Sequence, residues 1–141
     1  MRKMTEERYN ETLAKIKALQ AELEDILTSV YAIDRDVALN QEVLKVVEAM
    51  AGLEGEREML IHLGPVLLKA KIADKEHVYF DLGGGLISEV KLEEAKEKLT
   101  KAIADMLAAR AKLLARAAAI RSEIEKLISE VRKIGQEEAK S

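Results

Sequence analysis

The chain has 141 residues, the length of one domain, with no cysteine, no tryptophan, one phenylalanine and 35% charged side chains. Its 26 acidic and 23 basic residues are interspersed for a net charge of -3, which leaves no basic field to condense onto a phosphate backbone. These features argue against a large multidomain enzyme, a disulfide or thiolate-metal scaffold and a nucleic-acid partner. No apolar run approaches the roughly 18 residues that mark a membrane span, and none at the start resembles a signal peptide, so a cytoplasmic protein without a membrane partner is expected.

The first predicted element is a helix over residues 5–55. From Ile16, alternating steps of three and four residues land on Leu19, Leu23, Ile26, Val30, Ile33, Val37, Asn40, Leu44 and Val47, and only Asn40 is polar. A seven-residue repeat sustained this far keeps a narrow apolar stripe against a partner helix only through left-handed supercoiling, so the element is a coiled-coil helix. Leu39, Val43, Val46, Met50 and Leu53 fall off that register. The root of the helix, near Gly52 and Gly55, therefore carries apolar surface for something besides its partner helix, and a neighbouring subunit's β-module is the expected cover.

Residues 58–90 change character. Four short β-like runs, 59–63, 66–72, 78–82 and 86–90, are separated by "GP", "ADKE" and "GGG", which makes two hairpins. Pro65 cannot donate a ladder hydrogen bond and suits a strand start, bulge or edge. So small a sheet cannot have both faces covered by its own chain, and its edges stay open to another. The segment reads as an assembly module, with Leu60, Leu63, Val66, Leu68, Ile72, Val78, Phe80, Leu86 and Ile87 as the predicted subunit contacts. The glycine run Gly83, Gly84, Gly85 precedes a strand and lacks a following Lys with Ser or Thr, so it is a hairpin turn and not a phosphate loop.

A second helix is predicted over 92–136, with its seam on Leu99, Ile103, Met106, Arg110, Leu113, Ala117, Ile120, Ile124, Leu127, Val131 and Ile134. Glu93 and Glu94 suit the positive end of its dipole, and Arg132 and Lys133 the negative end. Helices of about 45 residues extend on the order of 65 to 70 Å, too long for a compact bundle, so the second folds back antiparallel on the first. With equal rise in both, facing residue numbers sum to about 145. Arg110 then lies near Asp34 and Asp36, and Asn40 near Asp105, so the polar interruptions of the two seams find partners across them.

The order of long helix, "MLIHLGPVLLKAKIADKEHVYFDLGGGLISEVKLEEAKEKL" and long helix resembles the α-type subunit of archaeal prefoldin. The particular echoes are "LIHLG" at Leu60 to Gly64, "KAKIAD" at Lys69 to Asp74, and "LGGGLISEV" at Leu82 to Val90 leading into "LEEA" at Leu92 to Ala95. In that family two hairpins, rather than one, mark the α-type. The chain departs from the family's pattern at "PVLL" and at Gly84 and Leu86. The resemblance implies an α+β fold over 1–141, in which a long antiparallel two-helix coiled coil is connected by two β-hairpins that form an oligomeric β-barrel platform. It also implies a hetero-hexamer of two α-type and four β-type subunits, an ATP-independent holdase activity on unfolded proteins, and delivery of those clients to a group II chaperonin.

Chemistry beyond this is not predicted. His62 and His77 lie in different strands without a ligand spacing, and a metal site usually needs three or four ligands, so they read as surface or packing histidines. Ser29, Ser88 and Ser122 lack a base and an orienting group. No enzyme activity, cofactor or metal is expected. Met4, Tyr9, Leu13, Ile16, Leu127, Ile128, Val131 and Ile134 sit where the paired helices end; fraying there makes them the predicted client-binding residues at the distal tips. The competing readings are a self-assembling prefoldin-like filament or structural scaffold, and a coiled-coil adaptor for one folded partner.

Overall fold

The computed structural model describes residues 2–53 and 58–140; Gly55, the expected end of the first helix, and Ser141 lie outside them. The elements follow in the order α1 (Arg2–Ala51), β1 (Glu58–Leu63), β2 (Val66–Lys71), β3 (His77–Gly83), β4 (Leu86–Lys91) and α2 (Leu92–Lys140). The fold is α+β, with two long antiparallel helices and two β-hairpins between them. Both helices run further outward than predicted, to Arg2 and Lys140, because neither outer end carries a proline that would stop them. At its inner end α1 stops at Ala51. The N–H of Gly52 donates to Ala49 O at 3.2 Å and that of Leu53 to Met50 O at 3.1 Å, the tightened last turn that satisfies carbonyls at a helix end.

The chain divides into two compact units, Met1–Arg35 with Leu107–Ser141, and Asp36–Met106. The first unit is coiled coil. Ile26, Val30, Ala117 and Ile120 form its buried centre, flanked by Leu19, Leu23, Leu113, Leu114 and Ile124. Ala117 and Ile120 exclude solvent completely; the small Ala lets the backbones approach where Ile fills the facing hole. The seam continues outward past Ile16 to Thr12, whose hydroxyl donates to Arg8 O at 2.7 Å and so enters the seam without an unsatisfied polar group. Arg110 and Arg116 of α2 each reach a carboxylate on α1. Arg110 Nε donates to Asp34 Oδ1 at 2.6 Å. Arg116 grips Glu22 with both Nε and Nη2, at 3.1 and 3.2 Å.

In the second unit the β3–β4 hairpin joins the packing of the two helices. Val47, Val90, Leu92, Ala95 and Leu99 form the buried cluster, with Leu44, Met50, Val78 and Phe80 packed against it. Met50, off the coiled-coil register, is used here. Asn40 departs from expectation: its Nδ2 donates to Asp36 O at 2.7 Å, one turn back on its own helix, and not to Asp105. A short amide reaches its own i−4 carbonyl more readily than a carboxylate across a seam.

β1 pairs antiparallel with β2 and β3 with β4, as two separate two-stranded sheets. Leu63 faces Val66 across a two-residue turn in which Gly64 has φ 59° and Pro65 follows, the glycine-first pattern of a type II′ hairpin. In the second hairpin Gly83 faces Leu86, and both central residues, Gly84 and Gly85, have positive φ (61° and 80°), as a type I′ turn demands. A bulge between Asp81 and Gly83 precedes it, held by the Gly83 N–H donating to Asp81 Oδ1 at 2.9 Å.

Candidate functional site

The two hairpins are not equivalent. In β3–β4 the residues that alternate to one side, Val78, Phe80 and Val90, pack on the helix cluster of the same chain, and Lys98 Nζ lies 5.7 Å from the Phe80 ring centroid. Of the predicted subunit contacts, Val78 and Phe80 thus face their own core. The opposite side carries Tyr79, 71% exposed, and Ile87, 67% exposed. Leu86 is exposed at the turn and Ile72 is half-buried in the connection before β3.

β1–β2 is bare on both faces. All of β1 and all of β2 except Ala70 are exposed. Leu60 faces Lys69, Ile61 faces Leu68, and Leu63 faces Val66. Leu60, Leu63, Val66 and Leu68 are therefore solvent-facing, and so are Met59, Ile61 and Leu67, which the sequence reading did not single out. Seven large apolar side chains on a two-stranded hairpin are an unfinished packing layer, since a hairpin of this size is marginal by itself in water. On α1 of the same unit, Leu39, Val43 and Val46 form a second exposed apolar strip at helical spacing, with Leu39 64% exposed.

At the terminal end of the first unit the predicted client-binding residues separate into three groups. Met4, Tyr9 and Ile128 are exposed; Leu13, Leu127 and Val131 are half-buried; Ile16 and Ile134 are buried in the seam, Ile134 with only 1% of its surface accessible. Tyr9 also lines a shallow groove with Glu6, Asn10, Gly135 and Glu138. Heptad position accounts for much of this separation: Ile16, Leu127, Val131 and Ile134 are seam residues and are buried or half-buried, whereas Met4 and Ile128 fall off the seams and are exposed.

A third cluster was not legible in the sequence. His77 Nδ1 lies 3.1 Å from Asp74 Oδ2, and one ligand atom from each of Asp74, His77 and Glu89 falls within 4.8 Å of the others. Asp74 Oδ1 accepts the N–H groups of Glu76 at 2.8 Å and His77 at 3.2 Å. Those hydrogen bonds, that from Glu76 foremost, hold the Asp74 carboxyl below the ordinary carboxylate range. His62 stands apart on β1.

Residues 6–137 match the family model for the prefoldin subunit. The chain belongs to the prefoldin subunit family. The structure is also similar to that of a filamentous prefoldin from Methanocaldococcus jannaschii, with a TM-score of 0.70 at 23% identity over 86% of this chain and 98% of that one. At that identity the likeness speaks for the fold alone. No curated protein matches the sequence. Prefoldin membership carries a chaperone-subunit role in oligomeric assemblies and no enzyme chemistry. Two hairpins between the helices are the α-type arrangement. Among the described residues, no helix is long and apolar enough to cross a membrane.

Proposed function

We propose that this prefoldin subunit is an ATP-independent holdase component, in which the hairpins join subunits and the helix ends hold nonnative chains. The observation that carries the reading is β1–β2, whose two faces both present large apolar side chains. Burying a Leu or Ile is worth about 1.5–3 kcal/mol before the costs of association, so several at one hairpin are a strong drive to pair with another subunit. Leu86 and Ile87 extend the contact on the second hairpin, and Leu39, Val43 and Val46 offer α1 as a seat for a neighbour's β-module. The closed form of such an assembly is a β-barrel platform shared with β-type subunits, two α-type to four β-type.

Client capture rests on Met4, Tyr9 and Ile128, the exposed members of the helix-end set, with Leu13, Leu127 and Val131 contributing as the last turns fray. Each contact is weak. Several helix pairs acting on one chain convert later contacts into intramolecular ones, and delivery to a group II chaperonin then needs release but no hydrolysis. The second reading is a filament or scaffold, favoured by the likeness to a filamentous prefoldin; heterologous pairing that does not close produces such a polymer.

Light scattering on the purified chain, alone and with a β-type prefoldin subunit, separates the two. A defined hexamer formed only in the mixture, with suppression of client aggregation, supports the holdase. Large assemblies of the chain alone, without client protection, support the scaffold.

A further inference from the structure

We propose that Asp74, His77 and Glu89 form a binding site for a divalent first-row transition metal, zinc being the natural probe, on the outer side of the second hairpin. Three observations converge on it.

The first is the donor set. One imidazole with two carboxylates suits zinc and its neighbours, whereas magnesium and calcium favour all-oxygen shells. The second is spacing. Ligand atoms bound tetrahedrally at about 2.0–2.2 Å from zinc stand about 3.3 Å apart. His77 Nδ1 and Asp74 Oδ2 are already 3.1 Å apart. The Glu89 carboxylate, within 4.8 Å of the others, is on an exposed side chain that can close the remaining distance by rotation.

The third is that the two halves of the site are held by backbone. Glu89 faces Tyr79 and Lys91 faces His77 in the antiparallel register, so Glu89 and His77 are diagonal neighbours on one side of the hairpin. The Leu92 N–H donates to Glu76 O at 2.8 Å, tying the segment that bears Asp74 to the end of β4. Asp74 is oriented by the two N–H groups on Oδ1, which leaves Oδ2 for the metal. Metal would take the place of the direct His77–Asp74 contact and link β3 to β4. A fourth position stays open to water. Lys91, directly across from His77, and Lys75 temper the affinity.

Zinc chloride titrated into the full chain by calorimetry tests the site, with magnesium chloride as the comparison. The expected result is one zinc per chain and no magnesium binding. His77→Ala and Glu89→Gln should each weaken zinc by about tenfold or more, while His62→Ala binds as the parent does. Zinc should also raise the thermal midpoint of the parent and of His62→Ala, but not that of His77→Ala, each checked as folded by circular dichroism. The absence of saturable heat overturns the proposal. So does zinc binding that survives His77→Ala, or that is lost equally in His62→Ala, which would place the metal between chains. Unchanged binding in Glu89→Gln overturns the three-ligand set.

Discussion

Arg110 reaches across the seam of the first unit to Asp34, its Nε 2.6 Å from Oδ1, at the position where an apolar heptad residue would otherwise stand. The pair is partly exposed on both sides, 37% for the arginine side chain and 49% for the aspartate. Solvent screens such a pair, so its worth lies less in stability than in allowing only one register of α1 against α2.

A double-mutant cycle on Arg110→Ala and Asp34→Ala should give a coupling of about 0.2–1 kcal/mol that shrinks with added salt. Arg110→Leu should raise the denaturation midpoint while permitting alternative helix registers. Urea denaturation measures the first and cysteine-free spin or fluorophore distance measurements the second. A coupling well above that range, insensitive to salt, would contradict the screened-pair account.

Ile134 and Ile128 lie six residues apart on α2 but should fail differently. Ile134→Ala removes a buried side chain and should cost about 2–5 kcal/mol in a chemical melt. Ile128→Ser, on an exposed residue, should leave the melt within about 0.5 kcal/mol of the parent and reduce suppression of client aggregation, more so with Met4→Ser. Normal holding by the double variant would move the client site elsewhere.

The hairpins should separate in the same way. Leu60→Ser with Leu68→Ser should lower the assembled mass in light scattering while the helical signal of the subunit persists, because these residues touch nothing of their own core. Phe80→Ser should lower the thermal midpoint first and the mass only as a consequence, since Phe80 packs on its own helices. An oligomer unaffected by the β1–β2 double variant would rule that hairpin out as the joining surface.

Gly85→Val places a β-branched side chain at φ 80°. A left-handed conformation costs a non-glycine residue on the order of 1–2 kcal/mol, more when β-branched. The β3–β4 hairpin should loosen, which hydrogen exchange would show as faster exchange of the amides of β3 and β4. Slow exchange unchanged from the parent would mean that the turn relaxes without disturbing the ladder.

The periodic features of this protein were legible in its sequence. Every seam position named from the heptads on α1 and α2 is buried or half-buried, and the glycine-bearing breaks became hairpin turns, because periodicity and φ preference are local properties of consecutive residues. The family resemblance lay in the same local signals. Tertiary structure alone decided the rest. It chose Asp34 over Asp36 for Arg110 and returned Asn40 to its own helix, since carboxylates two residues apart point to different faces of a helix. It turned Val78 and Phe80 toward their own helices while leaving β1–β2 bare: the unbroken apolar runs 59–61 and 66–68 put apolar side chains on both faces of that hairpin but do not say whether its own chain covers either of them. It also brought Glu89 to His77 and Asp74 across a strand pair. Spacing along the chain says nothing of such proximity until the antiparallel register has been set.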